Sequence, residues 1–557
     1  MSNSLIPSAT PTEAAPSRWG PFGHAAFTVI WTGSIVLNLG TATFDTASAW
    51  LMTSLNADPM AVSLVQVAAS LPIFLFTLPA GALADIIDPR RFLIAVEAAI
   101  VVVSVIFALL VSSGLATPGA LLATTFLLSA GLSVTAPAWL SITPLLVPRP
   151  DLDSAVAFNS VGYNVSRAVG STLGGLIIAA LGIAAPFWIN GASILVIIGA
   201  LLWWRPRRKI AQSLPAERLT SAVRSGIRYA ANSRHMRATL IRAAAFFPFA
   251  AAYWALLPLV ARSQMTQGPE LYGVLLGAIG AGAIGGSLIL NWLKARLGSD
   301  RVVALGTLVT AVALVLFGFA RYPVIALCAS LLAGASWTVV LASLYVSAQV
   351  ALPDWVRARG LAILLTVVFG AMTVGSAAWG HIAGLEGLSI AHFVAAAGAV
   401  LAIPLTWRWK LQTAAGIDLT PSMHWRVPVL VKKVTDDQGP VLVTVEYRIA
   451  PDDRIEFLGN LDELGHERKR DGAFAWGIFE DAADRGRFLE TFLIESWLEL
   501  KHLRERVTNA DRMIEDEIRR LMKDPPKVTL LIAAERNRRS RKARALELLA
   551  APSAPSP

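Results

Sequence analysis

The sequence predicts an all-α membrane protein of twelve transmembrane helices in two six-helix bundles, followed by an α+β domain of ferredoxin-like type. Three observations predict it. Hydrophobic residues make up 55% of the 557 residues and charged ones only 15%, against about a quarter charged in soluble domains. Twelve mostly apolar runs approach or exceed the roughly 20 residues that span a bilayer. Beyond Lys410 the composition becomes that of a soluble domain, with strand and helix periods in alternation.

In chain order, residues 1–23 begin with a Ser-, Pro- and Thr-rich stretch of little charge, without the basic-then-apolar layout of a signal peptide. They are read as a disordered tail. Apolar runs follow at about 24–52, 60–84, 92–113, 118–147, 155–181 and 184–204. Six more occupy about 238–261, 270–293, 302–320, 323–350, 360–384 and 389–409. The loops on one side hold Arg90, Arg91, Arg149, the basic segment 205–237, Lys294, Arg296, Arg301, Arg357, Arg359, Arg408 and Lys410. The other side offers Arg262 and Arg321. Lys and Arg gather on the cytoplasmic side of a membrane. Both termini are therefore expected inside, with the chain in the plasma (inner) membrane. The same bias accounts for the net charge of +10 without a nucleic-acid partner.

Segment 205–237 separates an N-terminal bundle, 24–204, from a C-terminal bundle, 238–410. Within it Leu219, Val223 and Ile227 recur every four residues, with Arg224 and Arg228 elsewhere on the wheel. That is an amphipathic helix, lying on anionic lipid or bridging the bundles in solvent. The halves echo one another. Pro148-Arg149-Pro150-Asp151 precedes the fifth run and Pro353-Asp354-Trp355-Val356-Arg357 the eleventh. Each of those runs carries spaced glycines, among them Gly170, Gly174 and Gly175, where small residues let helices pack closely. Paired halves place a substrate site between them near the midplane.

Residues 411–535 form the soluble domain. Strands are predicted at 441–449, 473–479, 487–494 and 527–533, and a helix at 451–468 with Ile455, Phe457, Leu458, Leu461 and Leu464 inward. One or two helices occupy 497–521, with a break near Thr508. The order β-α-β-β-α-β is ferredoxin-like. Residues 536–557 are basic, then Ala- and Pro-rich, and read as a second disordered tail. Cys328 is the single cysteine and the seven His are scattered, so neither an internal disulfide nor a cysteine metal site is expected, and no cofactor.

Ionisable residues inside membrane spans are functional candidates. Arg167 lies twelve positions beyond Ala155, about 18 Å along a helix and so near mid-bilayer. Asn159, Tyr163, Asn164 and Ser166 are its polar neighbours. Asp45 in the first run is its natural counter-charge, able to take a proton on one side and release it on the other. Burial raises a carboxyl's pKa and a neighbouring Arg lowers it. Asp45, Arg167, Asn164 and Asn159 are therefore the candidate substrate and proton-coupling residues. Glu97 is expected to pair with the nearby loop arginines. Gln66, Asn190 and His381 are weaker candidates.

Gly81-Ala-Leu-Ala-Asp-Ile-Ile-Asp-Pro-Arg-Arg91 joins the second and third runs. Asp85 and Asp88 are expected to face Arg90 and Arg91 across this turn. The stretch resembles the loop signature of the major facilitator superfamily, Gly-x-Leu-Ala-Asp-Arg-x-Gly-Arg-Arg. Gly81, Leu83, Ala84, Asp85, Arg90 and Arg91 fit it, while Ile86 and Asp88 depart. Gly81, Asp85, Asp88, Arg90, Arg91 and Glu97 form the candidate gate. Gly170-Ser-Thr-Leu-Gly-Gly175 resembles the fifth-helix antiporter signature ending Gly-Pro-x-x-Gly-Gly, with Ser171 in place of the proline.

The whole chain resembles the transmembrane secretion effectors, the subgroup that includes the enterobactin exporter. Ala49–Leu55, Leu78–Asp85, Phe158–Ser160, Arg167–Gly170, Trp254–Leu259 and Glu490–Trp497 carry the likeness. The C-terminal domain resembles the dimeric barrel of antibiotic-biosynthesis monooxygenases and is the candidate surface for self-association. The resemblance implies export of a small amphipathic molecule, driven by protons. Two alternatives are import or facilitated passage of a solute, and a membrane-anchored oxygenase whose pocket is lined by Trp476, Trp497 and His502. The domain has no metal-ligand cluster or nucleotide loop in its sequence, which weighs against the oxygenase.

Overall fold

The computed structural model describes residues 19–84, 88–205, 219–412, 418, 420, 422, 424, 425, 434, 435 and 438–533. Residues 1–18 and 534–557, which hold most of the two predicted tails, lie outside them, as does Asp85. The helices are α1 (Ala25–Leu55), α2 (Pro59–Ala84), α3 (Pro89–Ser112), α4 (Pro118–Leu146), α5 (Leu152–Leu181), α6 (Ala185–Trp203) and α7 (Leu219–Asn232). They continue with α8 (Arg234–Leu259), α9 (Pro269–Gly318), α10 (Pro323–Val350), α11 (Arg357–Glu386) and α12 (Leu388–Thr406). All except α7 are long and apolar enough to cross a membrane, 11 among the described residues.

Helix starts follow from local chemistry. Proline opens α3, α4, α9 and α10, where its missing N–H costs nothing. Asp88 and Thr117 cap α3 and α4 by accepting the backbone N–H of Arg91 and Ala120. The eighth and ninth runs form one element of 50 residues, α9. A straight helix of that length would be about 75 Å long, against about 30 Å of hydrocarbon. Gly298, at φ 76° and ψ 160°, breaks it into arms 269–297 and 299–318. A residue with Cβ resists that conformation.

Two compact units divide the chain. In the first, which holds the membrane helices, α1 packs against α5 and α6, and α2 against α4. The α1–α5 seam is built on small residues. A Cβ at Gly170 would stand 2.8 Å from Ala42 Cβ, and one at Gly174 would stand 3.0 Å from Thr46 Cβ.

The second unit comprises Arg224–Arg234, Leu352–Arg357 and the chain from Ala414 onward. Its strands are β1 (Val441–Arg448), β2 (Ala475–Glu480), β3 (Arg487–Ile494) and β4 (Lys527–Ile532); its helices are α13 (Arg454–Asp471), α14 (Trp497–Arg506) and α15 (Asn509–Arg520). The sheet is antiparallel in the order β2-β3-β1-β4. Val441, Val443, Val445 and Tyr447 alternate inward on β1 and pair with Ile494, Phe492, Glu490 and Phe488 of β3. Phe457, Leu461 and Leu464 of α13 complete this core, but Ile455 is 85% exposed, against the predicted inward face. It lies about 200° around the helix from the buried Phe457, on the face turned away from the sheet. The predicted break at Thr508 is a capping box with Asp511.

Buried charge in this unit is paired. Arg468 reaches Glu515 at 2.8 Å and Glu490 at 3.6 Å. Arg470 lies between Asp471 at 2.8 Å and Asp511 at 2.9 Å. Burial favours the neutral acid at Glu515, but Arg468 and His424 hold it down at about 2. Burial dominates at Asp471, which is pushed up to about 6 against the pull of Arg470. Trp497 belongs to the core, and Trp476 packs on it while donating to Glu490 at 3.0 Å. The two tryptophans thus contribute to the core of this unit.

Of the stripe predicted on α7, the side chains of Leu219 and Val223 lie outside the described ones. Ile227 is 51% exposed, whereas Ser225, Tyr229, Ala230 and Ser233 are buried. Among the described side chains of α7, Tyr229 supplies the large ring that the helix buries, and Ile227 does not join it.

Candidate functional site

Asp45 on α1 and Arg167 on α5 are both exposed, although each sits in the middle of an apolar helix. Around Asp45 the helix is tightly packed: Phe44, Thr46 and Ala47 are buried. The Thr46 hydroxyl donates to Ala42 O within α1 at 2.9 Å. Arg167 donates from Nη1 to the Tyr163 hydroxyl at 3.1 Å, with its guanidinium 5.8 Å from that ring's centre. Asp45 and Arg167 interact electrostatically, but they form no ion pair within 4.0 Å. The gap leaves both charges with unfilled hydrogen-bonding capacity. Asn164, also exposed, donates to Ser160 O of its own helix at 2.8 Å. Asn159 is turned toward α4, donating to Thr143 Oγ1 at 3.1 Å.

Contacts between the halves gather at the end where α1 finishes and α2 begins. There α5 crosses α9 with backbone almost touching: a Cβ on Gly175 would lie 2.8 Å from Gly273 Cα. Nearer mid-helix, Ser70 of α2 and Thr373 of α11 share a hydrogen bond of 2.8 Å. Arg262, just beyond α8, donates to Thr53 Oγ1 at 2.9 Å and lies 5.5 Å over the Trp50 ring. Trp50 in turn stacks on Tyr272 of α9 at 6.0 Å, and Tyr272 lies within electrostatic reach of Asp45. Toward the opposite, Arg-rich end, Val156, Val161 and Val165 of α5 and Ile284, Leu288 and Ile289 of α9 are exposed.

Of the stretch predicted as a gate, residues 81–84 and those from Asp88 onward are among the described ones. Asp88 spends its carboxylate on the Arg91 backbone N–H at 2.9 Å and does not form the expected ion pair with Arg90 or Arg91. A helix N-terminus offers free N–H groups that satisfy it. Arg90 instead reaches the end of α6, donating to Leu201 O at 2.7 Å and Leu202 O at 3.0 Å. Gly81 lies in the last turn of α2. Glu97 is buried in α3, and among the described residues it makes no ion pair with the loop arginines, because its position directs it into the bundle. Asn190 is likewise structural, bonded to Ser104 of α3 at 3.0 Å. His381 is exposed near the end of α11.

The second half has a counterpart of the Arg90 contact that sequence reading missed. Arg242, 4% exposed, holds Asp300 at 2.9 Å and donates to Trp409 O at 2.8 Å, and Asp300 accepts from Leu411 N at 3.1 Å. The α9 bend is thereby tied to the exit from α12, as the α2–α3 turn is tied to α6. Arg242 was legible as a charge inside an apolar run. Its partner was not, since Asp300 is 58 residues away, just past the Gly298 bend of α9.

A family model for transmembrane secretion effectors matches residues 16–538. The chain belongs to that family. No curated protein sequence matches it significantly. Among solved structures, an autoinhibited peptide transporter of the POT family is 14% identical and superposes with a TM-score of 0.57 over 73% of this chain and 99% of its own. The nucleoside transporter NupG is 11% identical, with a TM-score of 0.56 over 69% of this chain and 99% of its own. A bacterial homologue of the human lysosomal transporter Spinster, solved inward-facing and occupied, is 16% identical, with a TM-score of 0.55 over 72% and 100%. At these identities the likeness is one of fold. This secretion effector is a multi-pass membrane transporter of the major facilitator superfamily, and its activity is transport, not catalysis.

Proposed function

We propose that this protein exports a small amphipathic molecule, such as a siderophore, drug or metabolite, from the cytoplasm by proton antiport with alternating access. The observation that carries the reading is the exposed, unlocked pair Asp45 and Arg167 in mid-helix. Arg167 offers a fixed positive charge with a planar donor fork, suited to an anionic or acceptor-rich group. Asp45 offers a carboxylate that trades its proton as access changes. Substrate leaves Arg167 as a proton arrives at Asp45.

The reading includes twelve spans, with the arms of α9 counted separately, and both termini in the cytoplasm. The Arg-rich end is then cytoplasmic. The contacts at Gly175 and Arg262 close the outer end in this reading, which makes the conformation inward-facing. Gly81, Asp85, Arg90 and Arg91 belong to the inner gate. The second unit is ferredoxin-like by its β-α-β-β-α-α-β order, in which the second helix is split at Thr508.

A growth screen of deletion and overexpression strains against toxic compounds and siderophores identifies the cargo. Vesicles loaded with it, under proton gradients of either sign, then test direction. Export predicts uphill movement against the entering proton. Uphill movement with the proton would instead establish import.

A further inference from the structure

The second unit is not made of the C-terminal chain alone. Arg224–Arg234 runs straight into α8, and Leu352–Arg357 is the junction of α10 and α11. Leu352 and Val356 are both 0% exposed. Loops seldom bury apolar side chains so fully, because their backbone polar groups need partners. The Trp355 indole packs edge-on against Tyr229 at 5.8 Å. Arg506 of α14 lies 4.3 Å over the other ring of this pair, Trp355. Arg506 also donates to Glu499 at 2.6 Å, and Glu499 accepts from Arg228 at 3.0 Å. Arg470 of α13 lies 5.4 Å over Tyr229. A closed ring of aromatic and charged side chains therefore joins three stretches far apart in sequence.

We infer that the C-terminal domain is a strut for the second half of the transporter, holding the entrance to α8 and the α10–α11 junction as one body. Both segments it grips feed helices of that half. With them joined, α8, α10 and α11 move together when access alternates. The inference rests on the alternating-access reading for its effect on transport, but the grip itself does not.

The test inserts a protease site between residues 415 and 416 of the full chain and cleaves the purified protein in detergent. The C-terminal fragment is expected to stay bound and co-elute with the membrane portion. In the double variant Arg228→Glu/Trp355→Ala it is expected to dissociate. Hydrogen exchange at 352–357 should rise at least tenfold in that variant while the 441–494 core stays protected. Uncleaved double variant in vesicles should transport several-fold more slowly than wild type. A fragment that leaves the wild-type protein overturns the grip. A fragment that stays, together with an unchanged transport rate in the double variant, overturns the strut while leaving the export reading intact.

Discussion

At Asp45 and Arg167 the protein keeps two opposite charges in the middle of apolar helices without letting them lock together. A charge at that depth costs about 2.5–3.5 kcal/mol on insertion scales. A side chain serving only to staple helices would be tied to an opposite charge and to backbone carbonyls, as Arg242 is to Asp300 and Trp409 O. Asp45→Asn is expected to abolish uphill transport and retain downhill exchange. Arg167→Ala should lose substrate binding as well, and Arg167→Lys should keep charge but bind at least tenfold more weakly, measured by substrate-induced quenching of tryptophan fluorescence. Arg242→Ala leaves Asp300 unpaired. Arg242 is more deeply buried than Arg262, so the variant's melting temperature should fall below that of Arg262→Ala, whose contacts are partly exposed. The positions of Asp45 and Arg167 were legible because a charge interrupting an apolar run is visible in one dimension. The roles of Arg262, Trp50 and Tyr272 were not, because three helix ends must meet before the contact exists. Asp88 and Glu97 were misjudged for a related reason: opposite charges near in sequence need not face each other once a helix begins between them.

Helix positions followed from hydropathy because the bilayer imposes a length on apolar runs. The arms of α9 merged because helical periodicity continues through the Leu-Gly-Ser-Asp segment and only the backbone at Gly298 turns. On α7, Ile227 was misjudged because the helix buries the Tyr229 ring, two residues on and roughly on the opposite side of the wheel. The α5–α9 crossing gives the element-scale test. A Gly175→Leu side chain has no room against Gly273, so it should hold the two helices apart at that end. Cysteine labelling at Thr53→Cys, in a Cys328→Ser background, is expected to accelerate several-fold from the outside. An unchanged rate would mean that the crossing does not close that end.

At the scale of the whole molecule, topology and the two units are the accessible predictions. Labelling of Asn56→Cys and Glu386→Cys should report the outside, and of Ser213→Cys and Pro440→Cys the inside. In the second unit, Glu515 and Glu499 are held at about 2 in the folded state against an ordinary 4.5, and Asp471 at about 6 against 3.8. The depressed pair contributes stability above pH 4.5 that is lost as pH falls toward 2. The raised Asp471 imposes a cost above pH 6 that fades as pH falls toward 3.8. Rate-corrected hydrogen exchange of the 441–494 core should therefore slow slightly from pH 7 to 5 and accelerate between 4 and 2. The central claim is proton-driven export through Asp45, and its most direct test is cargo accumulation in inside-out membrane vesicles with an acidic lumen. Wild type is expected to concentrate cargo in the lumen and release protons from it, and Asp45→Asn to reach only equal concentrations. An Asp45→Asn protein that still concentrates cargo with unchanged pH dependence would contradict the account.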